Sequence, residues 1–380
     1  MISFEPTEKQ LALQARFQRL AMERLQPRSM MIDAATPAGV DPDYLAVIAE
    51  EKLNAFLIPE EYGGTPLSRM SLAILFEELG AGCAGFAAVY AQTFHSIAAL
   101  LIGGSEEQKK IFFPLLLPPG GHVAGFCVTE EKSGSNTSSF STSFSRKAGS
   151  FIVHGEKNPV INAGQGRFYV VWANEDGTKN RAGISAFLIP EKAAGLRFGT
   201  YHDKPGFRAA PTATVHFDNV CLPEENIIGP AGSGYLLLMQ ILDWGRAISA
   251  AIAVGLARTA IEEIIRFAKQ RVIMRRPIIK NQSIAFLLAE LVTELEAARA
   301  LVWRACRLIE LGRDHTVAAS MAKLYASELA VRATTEGMLI LGQMGYRRPS
   351  LMDKIHRDAE AFRIAEGTSH VQKLIISGQL

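Results

Sequence analysis

The spacing of apolar residues changes twice along this chain of 380 residues. Up to about residue 120 the apolar residues recur at the spacing that is typical of helices. From His122 to about Pro223 they form short runs rich in β-branched and aromatic residues, separated by clusters of turn-forming residues. From about Ser233 the helical spacing returns and continues to the end. A β-rich block between two helical regions is an unusual order, and it restricts the folds that the chain can adopt.

This order predicts an α+β fold with three domains. We expect an N-terminal all-helical domain at residues 1–120, a small β-barrel domain at 121–231 and a helical bundle at 232–380, with the first boundary near Pro118–Gly121. The clearest predicted helix of the bundle ends at Gly312 and has one continuous apolar stripe. The stripe consists of Ile284, Leu287, Leu288, Leu291, Leu295, Ala298, Val302, Ala305 and Ile309.

Composition argues against several classes of function. The formal net charge is only +2, which disfavours a nucleic-acid-binding protein. The N-terminal MISFEPTEKQ has no apolar signal-peptide core and the apolar run Ala247–Ala257 is too short to span a bilayer, so we expect a cytoplasmic protein without a membrane segment. The four cysteines follow no metal-ligating or disulfide spacing, which predicts four buried thiols in a reducing compartment and no metal site.

Seven motifs, in a fixed order, resemble those of the acyl-CoA dehydrogenase family along nearly the whole chain. They are IPEEYGG (58–64), FCVTEEKSGSN (126–136), PTATVHFDNVCLPEENIIG (211–229), LDWGR (242–246), SMAKLYASELAVR (320–332), LGQMGY (341–346) and AEGTSHVQ (365–372). The resemblance implies a β domain between two helical domains, the second a four-helix bundle, with FAD between the β domain and the bundle. It also implies a homo-oligomer (tetramer or dimer) and electron-transferring flavoprotein as the electron acceptor.

The reaction implied by the resemblance is α,β-dehydrogenation of an acyl thioester such as an acyl-CoA. Glu366 matches the family's base and removes the α-proton, while the β-hydrogen leaves as hydride to N5 of FAD. An α-proton beside a thioester is too weakly acidic for a solvated carboxylate, so the base must be desolvated and the enolate oxygen must meet fixed donors. Some members have the base directly before the arginine that Arg246 matches, and Gly245 at this position favours Glu366. Without the resemblance, Glu366-Gly367-Thr368 is simply a helix end followed by a new N-cap.

The resemblance also assigns residues to the cofactor and to the substrate. Arg271 is expected to reach the FAD diphosphate of a neighbouring subunit, because a guanidinium forks onto phosphate oxygens. Ser135, Arg246 and Gly367 are the expected substrate contacts. The expected FAD contacts are Phe126, Val128, Thr129, Ser135, Ile161, Arg271, Gly345 and Thr368.

Several positions depart from the family pattern around FAD. Ile161 replaces a threonine whose hydroxyl bonds flavin N5, and Pro159 replaces a tryptophan that shields the ring. The other departures are Glu131–Lys132, Asn136, Met274–Arg275, Leu339 and Gln343. Together they predict altered flavin geometry, weaker binding or no flavin at all. FAD is still the expected cofactor, because most of its contacts in this family are to backbone groups.

The acyl group of the substrate stays open at this point. Ala365 and Gly245 remove bulk near the expected acyl pocket, which favours a branched or functionalised chain. His95 and Ser96 lie on the helix that faces the acyl tail in the family, either as satisfied core residues or as contacts to a polar acyl group. Two alternatives remain: a dehydrogenase of acyl or aminoacyl groups on an acyl carrier protein, and a flavin-free structural or binding homologue.

Overall fold

The N-terminal part of the molecule is helical, as the spacing predicts. The computed structural model describes residues 5–117, 119–147 and 149–380; Pro118, at the first predicted domain boundary, and residues 1–4 lie outside the described residues. The predicted domain bounds themselves stay predictions. The helices of this part are α1 (Glu8–Leu20), α2 (Gln26–Ala34), α3 (Pro42–Glu50), α4 (Arg69–Gly103) and α5 (Glu106–Phe112).

Helix α4 forms the centre of the molecule. It begins at Ser68, whose side chain accepts a hydrogen bond from the backbone N–H of Ser71. Its regular geometry is interrupted at Cys83, where φ is −161° and ψ is 106°. By length and composition α4 could cross a bilayer, but its most apolar 18-residue window is entirely buried inside the protein. Such burial is typical of a core helix.

The middle of the chain folds into one eight-stranded sheet with its own apolar core. The strands are β1 (Val123–Cys127), β2 (Ser143–Lys147), β3 (Ser150–Ile161), β4 (Gly166–Glu175), β5 (Ile184–Pro190), β6 (Leu196–Phe198), β7 (Thr212–Pro223) and β8 (Ile227–Ile228). In the sheet they follow the order β6-β7-β3-β2-β4-β5-β8, with β1 running parallel to β4. The short runs predicted for this region correspond to β1, β3, β4, β5 and β7, whereas the serine-rich β2 and the very short β6 and β8 give no clear apolar run. The prediction of four buried thiols is wrong for Cys221, which is exposed on β7.

The C-terminal part is a bundle of long helices. Its members are α6 (Gly234–Gln270), α7 (Gln282–Glu310), α8 (Thr316–Leu341), α9 (Gln343–Tyr346), α10 (Leu351–Phe362) and α11 (Ser369–Ser377). A two-stranded hairpin, β9 (Val272–Ile273) and β10 (Arg276–Pro277), separates α6 from α7. The predicted apolar stripe of α7 is confirmed, because Leu288, Leu291, Leu295 and Val302 are buried.

Candidate active site

Two consecutive residues in left-handed conformation form the turn between α10 and α11. Glu366 has φ +56° and Gly367 has φ +85°. Glycine adopts this region without cost, but a glutamate does so only where the surrounding contacts hold it there. Thr368 then caps α11, since its side chain accepts a hydrogen bond from the backbone N–H of Val371 at 3.2 Å. The N-cap expected at Thr368 is therefore confirmed, whereas Gly367 does not end the preceding helix, because α10 already ends at Phe362. Glu366 lies in the turn between the two helices, at a strained position.

Two buried side chains fix this turn from the protein side. The Lys323 ammonium group donates to the carbonyl oxygens of Phe362 at 2.6 Å and of Gly367 at 2.7 Å. The Gln372 amide donates to the carbonyls of Glu366 at 3.0 Å and of Gly367 at 2.9 Å. Among the described residues, the backbone N–H of Glu366 has no acceptor. The turn thus presents a free N–H donor beside the glutamate side chain.

The Glu366 carboxylate lies in an enclosed space against α4 and α6. Its side chain is 14% exposed, and its buried Oε2 has no hydrogen-bond partner within residues 5–117, 119–147 and 149–380. Oε2 lies 3.7 Å from Nε2 of His95, which is beyond hydrogen-bond distance. A Cβ atom at Gly245 would lie 2.9 Å from this oxygen and 2.2 Å from Nε2 of His95. A desolvated carboxylate oxygen without a partner is free to accept a proton.

Two buried cationic side chains, Arg246 and Lys323, lie near Glu366. Arg246 is buried and pairs with Asp243, whose other oxygen accepts a hydrogen bond from the Thr316 hydroxyl at 2.6 Å. Burial lowers the pKa of Arg246, and the attraction of Asp243 and Glu366 opposes this shift. Burial likewise lowers the pKa of Lys323 to about 8, against the attraction of Glu366.

The three parts of the chain each match one domain of a known family. Residues 7–118 match the acyl-CoA dehydrogenase N-terminal domain, residues 125–220 the middle domain and residues 232–380 the C-terminal domain. The chain belongs to the acyl-CoA dehydrogenase family. It is therefore an oxidoreductase that acts on CH–CH donors, and its cofactor is FAD.

Similar proteins act on several kinds of thioester. The human mitochondrial short-chain specific acyl-CoA dehydrogenase is 35% identical over 349 residues, which cover 90% of this chain and 85% of the human protein. Butyryl-CoA dehydrogenase from Megasphaera elsdenii is 31% identical with a TM-score of 0.94, covering 100% of this chain and 99% of that one. The prolyl acyl carrier protein oxidase AnaB is 26% identical with a TM-score of 0.90, and 99% of both chains are covered.

In this acyl-CoA dehydrogenase, the loop that follows β1 is organised by a buried ion pair. The Lys157 ammonium group donates to Glu130 and to the carbonyl of Val128, both at 2.9 Å. The Glu130 carboxylate also accepts hydrogen bonds from the backbone N–H groups of Ser141 and Thr142. These contacts hold both ends of the segment from Glu130 to Thr142, which contains Ser135, a predicted FAD contact.

The residues of this loop fit FAD. Among the described residues, the partly exposed Thr129 hydroxyl and the exposed Ser135 hydroxyl have no hydrogen-bond partner. A Cβ atom at Gly134 would meet nothing closer than 3.8 Å, which leaves room for a ligand to approach the backbone. Ile161 ends β3 opposite Thr212 and offers no side-chain donor, so we expect flavin contacts there to be apolar or through backbone.

The predicted site residues lie on several elements. The structure brings Glu366 and Gly367 together with Gly245 and so with the neighbouring Arg246. The Phe126 ring packs against the His95 ring in a tilted orientation, with centroids 5.1 Å apart. Arg271 is exposed at the end of α6 and Gly345 is buried in α9. The roles of the predicted FAD and substrate residues stay predictions. In the described part of the chain, no three His, Cys, Asp or Glu side chains are grouped as a metal site.

Sequence reasoning missed the two residues that hold the turn. Lys323 is buried on α8 among Ala319, Ala322 and Ala326, and a lysine on an apolar helix face is a signal that could have been noticed. Gln372 gave no such signal. Gly245 was expected to enlarge the acyl pocket, but a side chain there would collide with the imidazole of His95.

Proposed function

We propose that the chain catalyses α,β-dehydrogenation of a short acyl-CoA, with Glu366 as the base that removes the α-proton. One observation supports this most. In the described chain, the buried Oε2 of Glu366 has no hydrogen-bond partner, and the backbone N–H of the same residue has no acceptor. The matches to short-chain and butyryl-CoA dehydrogenases support a short acyl group.

The chain's own residues supply the proton transfer and the binding of the thioester. Glu366 accepts the α-proton at Oε2, and its backbone N–H is the donor that would meet the thioester oxygen as negative charge develops there. Lys323 and Gln372 hold the turn so that these two groups keep their relative position. FAD, when bound by the loop after β1, supplies the acceptor for the hydride that leaves the β-carbon.

Glu366→Gln tests this assignment because it keeps the size of the side chain and removes the base. We expect the purified variant to retain FAD but to lose flavin reduction by butyryl-CoA under anaerobic conditions. Exchange of the α-proton with deuterated solvent should also fall, by about 10²- to 10⁴-fold, the usual contribution of a general base.

Glu360→Gln is the matched control, because Glu360 is an exposed carboxylate on α10 near the same turn. It should exchange the proton and reduce flavin at the wild-type rate. Undiminished exchange in Glu366→Gln would place the base elsewhere in the chain.

A carrier-protein thioester is the second candidate substrate, supported by the match to prolyl acyl carrier protein oxidase. The enzyme would use the same base, but the thioester would be presented by a protein surface instead of by CoA. Offering one acyl group on CoA and on acyl carrier protein distinguishes the two, since only the favoured carrier will reduce the flavin at low concentration.

The proposal also includes the oligomeric state, the electron acceptor and the cellular location of the protein. We propose a homo-oligomer in which Arg271 contacts FAD of a neighbouring subunit, electron-transferring flavoprotein as the electron acceptor, and a cytoplasmic location. Exposed apolar side chains on the bundle support assembly: Leu339 on α8 is 72% exposed and Leu374 on α11 is 71% exposed.

A further inference from the structure

His95 is an unusual neighbour for a catalytic base because its imidazole is buried without any hydrogen bond. The residue is 1% exposed, and neither Nδ1 nor Nε2 has a partner in the part of the chain that the structure describes. Buried polar atoms in native proteins are nearly always hydrogen-bonded, so each exception needs an explanation. A group that arrives with the substrate would explain this one.

The imidazole faces the reacting end of the site. Its Nε2 lies 3.7 Å from Oε2 of Glu366, and one face of the ring packs on Phe126. The imidazole has room only because residue 245 is a glycine: a Cβ atom at Gly245 would lie 2.2 Å from Nε2. Packing on both sides therefore keeps the ring beside the carboxylate.

The imidazole is neutral at neutral pH and can serve as both donor and acceptor. Burial lowers its pKa, and the attraction of Glu366 only opposes that shift. In the neutral form one ring nitrogen is a donor and the other an acceptor. A hydroxyl or amine of the substrate could pair with either nitrogen, whereas a purely aliphatic acyl chain would leave both without partners.

We propose that His95 determines specificity by hydrogen-bonding a polar group on the fourth carbon of the acyl chain. This inference rests on the proposed function, because it places the α-carbon next to Glu366. The second carbon loses the proton and the third loses the hydride, so the fourth is the first carbon that takes no part in the reaction. A group on it lies only a few bonds from the α-carbon, which is next to the carboxylate that His95 approaches.

The test compares two thioesters that differ in one group, pentanoyl-CoA and 4-hydroxybutanoyl-CoA, in which a hydroxyl replaces the terminal methyl. We expect the wild-type enzyme to prefer the hydroxyl compound in kcat/KM. His95→Leu should lower the ratio of the two kcat/KM values by about 10- to 100-fold, because a site built for a polar group discriminates strongly against its absence. His95→Gln, which keeps a donor and an acceptor, should retain part of the preference.

His154→Leu is the matched control, since His154 is exposed on β3, and it should leave the ratio unchanged. A wild-type enzyme that prefers pentanoyl-CoA would overturn the proposal. So would an equal loss for both thioesters in His95→Leu, which would mean that His95 acts on Glu366 and not on the substrate. If no CoA or carrier-protein thioester reduces the wild-type flavin, the proposed function itself fails, and this inference fails with it.

Discussion

Lys323 has a buried ammonium group, and this gives the turn at Glu366 a dependence on pH. Burial lowers the pKa of Lys323 to about 8 from the usual 10.5. Between these two values the unfolded chain holds the proton and the folded chain does not. The free energy of unfolding therefore rises with pH across this window, and the full cost of the buried charge is present below pH 8.

We expect Lys323→Met to remove this rise and to weaken the turn. The variant removes the ammonium donor from the carbonyls of Phe362 and Gly367, which keep only the Ser327 hydroxyl and the Gln372 amide as side-chain donors. Loss of hydrogen bonds from a charged group costs roughly 1.5–3 kcal/mol. Denaturant unfolding of both proteins between pH 8 and 10.5 measures the slope. The exposed Lys192→Met is the control, and equal slopes in Lys323→Met and wild type would contradict the assignment.

Helices α4 and α6 approach so closely that glycine is required on both sides of their contact. A Cβ atom at Gly255 would lie 1.9 Å from the carbonyl oxygen of Glu77, and one at Gly80 would lie 2.4 Å from that of Ile252. These neighbours are backbone atoms, which cannot move without moving a helix. The contact fixes α4, which contains His95, against α6, which contains Gly245 and Arg246.

Gly255→Ala should therefore destabilise the protein and reduce its activity together. Overpacking costs about 1–3 kcal/mol or more, and displacement of α6 would disturb the space around Glu366. The midpoint of thermal unfolding and the rate of flavin reduction measure the two effects. Gly199→Ala is the control, because a Cβ atom there meets nothing closer than 3.5 Å and should change neither quantity.

At the scale of the whole molecule, the proposed homo-oligomer would divide the cofactor site between subunits. Leu339, which the resemblance matches to a glutamine expected to reach FAD across the subunit boundary, is exposed, and so are Met274 and Tyr346. We propose that another chain covers these side chains in the oligomer. Assembly and FAD retention should then depend on each other.

Leu339→Lys should weaken both, because it places a charge on a surface that we expect to be buried in the oligomer. Sedimentation analysis should show smaller species, and desalting should remove more FAD than from wild type. Leu11→Lys is the control, because Leu11 is an exposed leucine on α1, and it should change neither measurement. An unchanged sedimentation profile for Leu339→Lys would show that Leu339 lies outside the subunit interface.

The sequence by itself determined the order of the domains, the long helices and the residue proposed as the base. Periodicity is local, so the stripe of α7 and the strongest strands could be found from spacing alone, while short strands such as β6 could not. The turn at Glu366 could also be located from the sequence, because the Glu-Gly-Thr motif that marks it is local.

Only the tertiary structure decided what surrounds Glu366. His95, Gly245 and Lys323 are distant in sequence, and each is an ordinary residue on its own helix. Their packing buries the carboxylate, leaves an imidazole without a partner and fixes the turn with a lysine. Burial and the distances between distant segments depend on how helices pack, and no local pattern contains that information.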